Sequence, residues 1–338
     1  MQFLHHTGLF ELESGARLEG LSIAYKTYGQ INADQSNVVW ICHALTANAD
    51  VVSWWPGMVG DQCVIDPSRY FIVCANFLGG CYGTTGPLSI NPATNQPYYQ
   101  SFPLITIRDM VNAHIVLRKH LGIEKIGLLM GGSMGGYQVL EWCAMEPQVI
   151  RQSFLIATSA TESAWGIAIH TAQRLAIEAD STWKQPKQDA GHKGLKAARA
   201  IGILTYRNYG ILVQKQTDPD TEKLDHYRAS SYIQYQGDKL IDRFDAYTYW
   251  TLTKAMDSHH LARGRGGKLE KVLQDMKQRT LLIGISSDIL CPVHEQEFIA
   301  EHLPEASLIE IDSAYGHDGF MVESAKIAQQ LSEWIKKI

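Results

Sequence analysis

Several absences narrow the chemistry of this chain before any motif is considered. Nowhere in its 338 residues does an apolar run reach the length needed to cross a bilayer as a helix. The opening Met1-Gln2-Phe3-Leu4-His5-His6 carries neither the basic region nor the long apolar stretch of an export signal. No two of the six cysteines (Cys42, Cys63, Cys74, Cys81, Cys143, Cys291) form a C-x-x-C pair, so they read as reduced, mostly buried thiols. The 13 histidines contain no H-E-x-x-H pattern, and no metal site is expected. Basic residues are scattered and the formal charge is −5, which does not match the electrostatic footprint of a row of phosphates. These absences argue against nucleic acid and membrane partners and for a cytoplasmic location.

What is present is the balance of a globular enzyme, 45% hydrophobic and 19% charged, which excludes disorder. Short apolar runs rich in β-branched residues alternate with helical patterns. Strands are expected over Val38 to Cys42, Tyr70 to Ala75, Lys125 to Met130, Gln152 to Ala157, Thr280 to Ile285 and Ser307 to Ile311. Several are apolar throughout, as strands of a mostly parallel sheet covered on both faces must be. Between about Trp165 and Arg265 strand signals stop and charged, tyrosine-rich helical segments take over. The expected organisation is an α/β core over residues 1–164 and 268–338, with a helical lid inserted at 165–267 over the carboxyl edge of the sheet. Gly264-Arg265-Gly266-Gly267 is expected to be the flexible return.

Gly131-Gly132-Ser133-Met134-Gly135 follows an expected strand and precedes the helical pattern Tyr137-Gln138-Val139-Leu140-Glu141-Trp142. That context makes it a G-x-S-x-G nucleophile elbow, the signature of the α/β-hydrolase fold. A serine on so sharp a turn needs small neighbours, and four glycines flank Ser133. A phosphate loop is excluded because no Gly-Lys-Ser/Thr ending follows. A serine hydroxyl needs a base, and the base needs an orienting acid. Chain order in this fold runs serine, acid, histidine. Asp288, just past one late strand, and His317, past the next, meet that order. His294 and His302 fall in an expected helix after Pro292, and His5, His6, His259 and His260 are expected to be solvated.

The oxyanion formed on attack needs two N–H donors. Met134, next after the serine, and Leu45, in the loop His43-Ala44-Leu45-Thr46 after an early strand, are the candidates. Such a set performs acyl chemistry without distinguishing water from another acceptor, so an ester hydrolase stays open.

The chain closely resembles the homoserine O-acyltransferases of methionine biosynthesis, a family built on this fold. The likeness runs through Leu12-Glu13-Ser14-Gly15, Ala24-Tyr25-Lys26-Thr27-Tyr28-Gly29, His43-Ala44-Leu45-Thr46 and Gly79-Gly80-Cys81-Tyr82-Gly83-Thr84-Thr85-Gly86-Pro87. It continues in Ser89-Ile90-Asn91-Pro92-Ala93-Thr94, Arg108-Asp109-Met110-Val111, the serine elbow, Tyr235-Gln236-Gly237 and Arg243-Phe244-Asp245-Ala246. The chain departs from the family at Ala47-Asn48-Ala49-Asp50, where glycine usually follows the threonine, and at Tyr247, where asparagine is commoner.

The resemblance implies a two-step transfer from acyl-coenzyme A to Ser133 and then to the γ-hydroxyl of L-homoserine, with His317 as base in each half. Acetyl is the family's commoner donor and is expected here; succinyl, which would need a cation in the acyl pocket, is the alternative. The resemblance also implies that Arg199, Tyr206 and Asp318 hold the amino acid, with Thr46 beside them. Arg199 and Tyr206 are seven residues apart in a helical run, which puts them on nearly one face. No bound cofactor is implied beyond acetyl-coenzyme A as co-substrate, and a homodimer joined through lid helices is.

Overall fold

A strand that is apolar at every position needs cover on both faces, and the computed structural model, which describes residues 1–336, shows where that cover comes from. The chain opens with a long antiparallel hairpin, β1 (Gln2–Glu11) and β2 (Arg17–Tyr28). There follow β3 (Val38–Cys42), the single turn α1 (Val51–Trp54), β4 (Phe71–Ala75) and a small ladder of β5 (Ile90–Asn91) with β6 (Gln96–Pro97). Next come α2 (Ile107–His120), β7 (Leu128–Gly132), α3 (Met134–Met145) and β8 (Gln152–Ile156). A run of helices intervenes: α4 (Ala164–Glu178), α5 (His192–Tyr206), α6 (Tyr209–Gln216), α7 (Arg228–Ile241) and α8 (Ala246–Asp257). The chain then returns through α9 (Leu269–Asp275), β9 (Arg279–Ile285), α10 (Val293–His302), β10 (Ala306–Ile311), α11 (Gly319–Val322) and α12 (Ser324–Ile335).

Among the described residues, eight strands form one sheet in the order β1-β2-β4-β3-β7-β8-β9-β10. From β4 to β10 neighbours run parallel, while β1 and β2 pair antiparallel, so the mostly parallel sheet expected from the pattern is present. Successive side chains of a strand face opposite ways. Val38, Trp40 and Cys42 accordingly enter one core and Val39 and Ile41 the other. On the first face Trp40 meets Trp142 of α3 edge-on, 5.1 Å between ring centres. On the second, Trp55 lies against Phe154 and Phe320. No helix among the described residues is long and apolar enough to cross a membrane.

Three features differ from the sequence expectation. The β1–β2 hairpin has no counterpart in it: β1 exposes most of its side chains and shifts register between His6 and Leu9, so neither a continuous apolar run nor a steady alternation marks it. The strand expected at Lys125 to Met130 lies at Leu128–Gly132, because Gly131 and Gly132, weak strand formers, continue the ladder into the elbow. The glycine return at residues 264–267 does bend through left-handed conformations at Gly264, Gly266 and Gly267. It is nevertheless tethered, since Arg265 donates twice to the buried carboxylate of Glu141 on α3.

Two of the motifs that carry the family resemblance serve the scaffold. Asp109 accepts from the backbone N–H of Thr106 at 2.9 Å, closing a capping box at the start of α2, and its other oxygen holds the Glu13 N–H at 2.8 Å. Asp245 caps α8 by accepting from Thr248 N–H at 2.7 Å.

Candidate active site

Ser133 stands between β7 and α3 with φ 53° and ψ −128°. A non-glycine residue in so sparsely populated a conformation costs of order 1–3 kcal/mol, and the surroundings must hold it there. They do so through Ser133 N–H to Ile156 O at 3.0 Å and through the Ser133 carbonyl, which accepts from Gly136 N–H at 2.8 Å and Thr158 Oγ1 at 2.9 Å. Close approach explains the glycines: a Cβ on Gly135 would sit 2.1 Å from Cys42 O, and one on Gly131 2.4 Å from the Gly135 carbonyl carbon.

His317 Nε2 lies 2.8 Å from Ser133 Oγ, and its Nδ1 lies 2.7 Å from Asp288 Oδ2. The other Asp288 oxygen accepts from Leu290 N–H at 2.8 Å and Cys291 N–H at 3.0 Å. A carboxylate fixed in this way takes the Nδ1–H and leaves Nε2 free to receive the serine proton. Burial lowers the proton affinity of His317, but the charge and hydrogen bond of Asp288, with Asp318 and Glu162 beyond, outweigh it and hold the imidazole above its ordinary value. The loops carrying acid and base are stitched together, with Gly316 N–H donating to Ser287 Oγ at 2.9 Å and Ser287 Oγ to Ser313 O at 2.5 Å. Cys291 brings its sulfur close enough for Asp288, Cys291 and His317 to resemble a metal set within 4.8 Å. Their bonding suits proton transfer better, because imidazole and carboxylate face each other and burial holds the Cys291 thiol well above its ordinary range.

Ser133 and His317 open on a cavity of about 310 Å³ that Leu45, Thr46, Arg199, Tyr206 and Asp318 also line. Met134, first residue of α3, is buried, and its N–H falls outside the helical ladder. The Leu45 loop is held by Ala47 N–H to Ala44 O at 3.0 Å and Ala49 N–H to Asn76 Oδ1 at 2.7 Å. Its departure from the family pattern has a local use: the Asn48 side chain turns the chain by accepting from Asp50 N–H at 2.8 Å, while the Asn48 backbone carbonyl accepts from Trp54 Nε1 at 2.8 Å. His43 does not compete as a base, since burial pushes it down to about 3.

Asp318 pairs with Arg207 Nε at 3.0 Å. Burial raises the Asp318 carboxyl above the usual carboxylate range, against the pull of Arg207, His317 and Arg199. Burial likewise raises the Tyr206 phenol, with Arg199 opposing. The structure thus brings Leu45, Thr46, Ser133, Arg199, Tyr206, His317 and Asp318 to one opening, with Asp288 behind His317 and Met134 buried at the start of α3.

It also adds residues to which the sequence reading assigned no role. Arg243, from the turn between α7 and α8, reaches into the cavity wall and donates to Thr46 O and Tyr82 Oη. His170 of α4 lines the same cavity and bonds Asp257, and Arg207 neutralises Asp318. Their partners lie more than 80 residues away in sequence, so no local spacing marks them. One histidine is corrected: His259, expected to be solvated, is 3% exposed, its ring stacked on Tyr137 at 4.1 Å and its Nε2 at 3.2 Å from Ser159 O. Burial lowers it to about 4. His5 is exposed, and His6 and His260 are partly buried.

Residues 37–196 match the family described as α/β hydrolase fold. A homoserine O-acetyltransferase of Cyclobacterium marinum is 47% identical over an alignment covering 92% of this chain and 88% of that protein. One from Chlorobaculum tepidum is 44% identical, covering 100% of this chain and 95% of its own length. The crystal structure of homoserine O-acetyltransferase from Bacillus anthracis superposes with a TM-score of 0.92 at 24% identity, covering 98% of this chain and 96% of that one, a likeness of fold.

Proposed function

The chain belongs to the homoserine O-acetyltransferase family, and we propose that it moves an acetyl group from acetyl-coenzyme A to the γ-hydroxyl of L-homoserine through an acyl-enzyme on Ser133. His317 takes the Ser133 proton as the hydroxyl attacks the thioester, and returns it to the departing thiol. The N–H groups of Leu45 and Met134 receive the charge that develops on the thioester oxygen. In the second half His317 deprotonates the homoserine hydroxyl, which attacks the acetyl-serine, and Ser133 regains its proton on collapse. Arg199 and Tyr206 hold the α-carboxylate and Asp318 the α-ammonium, which leaves the γ-hydroxyl facing the base.

One observation carries this reading. The hydrogen-bonded series Ser133, His317, Asp288 shares a cavity with an arginine, a phenol and a carboxylate suited to an amino acid. An ester hydrolase needs the first set and has no use for the second. The succinyl alternative is not favoured, because the matched relatives carry the acetyl name. Mass spectrometry after exposure to acetyl- or succinyl-coenzyme A, followed by addition of homoserine, tests the proposal. Acetylation of Ser133 and formation of O-acetylhomoserine are expected; thiol release with no such product overturns it.

We further propose a homodimer formed through the lid and a cytoplasmic location. Leu175, Leu204 and Tyr209 on lid helices are 60%, 55% and 81% exposed, apolar surface that a second copy would cover. The six cysteines are free, in keeping with a reducing compartment. Light scattering reads the mass, and a monomer at micromolar concentration rejects the dimer.

A further inference from the structure

We propose that His170 is a further substrate-binding residue, accepting a hydrogen bond from the α-ammonium of the acyl acceptor through Nε2. The proposal rests on the reading of the site as one that acetylates homoserine.

His170 is 7% exposed, yet it lines the cavity that contains Ser133. Its Nδ1 is turned away, 2.9 Å from Asp257 Oδ1, and the other Asp257 oxygen is held by Arg174 Nη2 at 2.6 Å. The arrangement repeats the logic of Asp288 and His317. A carboxylate fixed by a second partner takes the hydrogen on Nδ1, and in the neutral imidazole Nε2 is then a lone-pair acceptor. With Nδ1 committed, Nε2 is the polar atom that the ring can offer to the cavity. The nearby Glu162 is engaged elsewhere, accepting from Tyr137 Oη and Ser163 N–H, each at 3.1 Å.

Helix packing places this acceptor at the amino-acid end of the cavity. A Cβ on Gly194 of α5 would sit 2.5 Å from Ile177 Cα of α4, while one on Gly202 would meet Gln173 Nε2 at 3.1 Å and the Tyr206 ring at 3.4 Å. Moving back along α4 therefore moves forward along α5. His170, one turn before Gln173, comes abreast of the Tyr206 end of α5. An ammonium there has three N–H donors to satisfy. Asp318 shares its charge with Arg207, so a second acceptor is needed on chemical grounds. An acceptor without hydrogen also favours ammonium over a neutral group, which strengthens the choice of an amino acid.

The test compares ligands that each lack one group. The variants are His170→Phe, which keeps an aromatic ring and removes the acceptor, and Asp257→Asn, which removes the tautomer selection and leaves the ring. The probes are L-homoserine, 3-aminopropan-1-ol without a carboxylate, and 4-hydroxybutyrate without an ammonium, the last two read as competitive inhibitors. Loss of a hydrogen bond to a charged group should raise the KM of homoserine and the inhibition constant of 3-aminopropan-1-ol about tenfold in His170→Phe. The inhibition constant of 4-hydroxybutyrate and the burst of thiol from acetyl-coenzyme A should be unchanged. Asp257→Asn should show the same contrast, and carries the test if His170→Phe does not fold. Equal weakening of 4-hydroxybutyrate, or undiminished homoserine binding in both variants, overturns the proposal. A wild type that makes no O-acetylhomoserine is a different failure, that of the functional reading itself.

Discussion

The guanidinium carbon of Arg199 lies 5.4 Å from the centre of the Tyr206 ring, so two side chains seven residues apart form one surface of the cavity. Among the described residues, Arg199 Nε is buried without a protein partner. A buried donor left unmatched is unfavourable until an anion arrives. Arg199→Ala should therefore raise the KM of homoserine roughly 30- to 100-fold while leaving the thiol burst intact. Arg199→Lys should recover only part of the loss, because an ammonium lacks the planar fork and its stacking. Pre-steady-state and steady-state assays separate the half-reactions; an equal fall in both contradicts the assignment.

His317 must be unprotonated to act as base, and Asp288 raises its proton affinity above that of an ordinary imidazole despite burial. Activity should thus disappear on the acid side as pH falls through a midpoint higher than a free histidine would give. Asp288→Asn should shift that midpoint downward, since the charge that raises it is gone. It should also lower kcat by about three to four powers of ten through loss of the correct tautomer. A pH profile of kcat/KM for both proteins is the measurement, and a midpoint that does not move in the variant removes Asp288 from the role.

Glu141 on α3 is 3% exposed and receives Arg108 Nε at 2.6 Å and two bonds from Arg265. Arg108 also reaches Glu13, which Arg263 bonds as well. The cluster ties the first hairpin, α2, α3 and the segment between α8 and α9 to one point. Glu141→Ala leaves two arginines facing each other. The expected loss is about 2–3 kcal/mol, below the figure for a fully buried pair because both arginines keep some solvent access. For a chain of 338 residues that corresponds to a fall in Tm of roughly 3–4 °C, readable by calorimetry. An unchanged Tm would show that the cluster contributes little.

These contacts mark where sequence reading succeeds and where it stops. Continuous apolar strands such as Val38–Cys42 announce a doubly covered sheet, and the glycines around Ser133 announce a turn that only small residues can make. Asp288 and His317 follow from chain order because the fold returns each late strand to the same edge. The β1–β2 hairpin escapes because half its surface is solvated and its alternation breaks at a bulge. His259 and His170 escape because burial of a polar ring depends on Tyr137 and Asp257, residues that only the folded chain brings near. Periodicity registers apolar faces and is silent on polar pairs formed across a hundred residues.

Arg243 shows what such a long-range pair can do for chemistry. It lies between α7 and α8, yet it donates to the carbonyl of Thr46, next to the proposed oxyanion donor Leu45, and to the hydroxyl of Tyr82. An oxyanion donor is worth about 10²- to 10³-fold in kcat, but only while its N–H points at the developing charge. Loosening the loop should forfeit part of that factor. Arg243→Met is expected to slow acetylation of Ser133 and transfer to homoserine alike, each by about tenfold, since both steps pass through an oxyanion at the same place. The KM of homoserine should hold, in contrast with Arg199→Ala. Tyr82→Phe, which removes one of the two acceptors and leaves the Thr46 contact, should produce a smaller effect in the same direction. Stopped-flow release of thiol and single-turnover transfer give the two rates. A defect confined to the homoserine step would place Arg243 with the amino-acid site and dissociate it from the oxyanion loop.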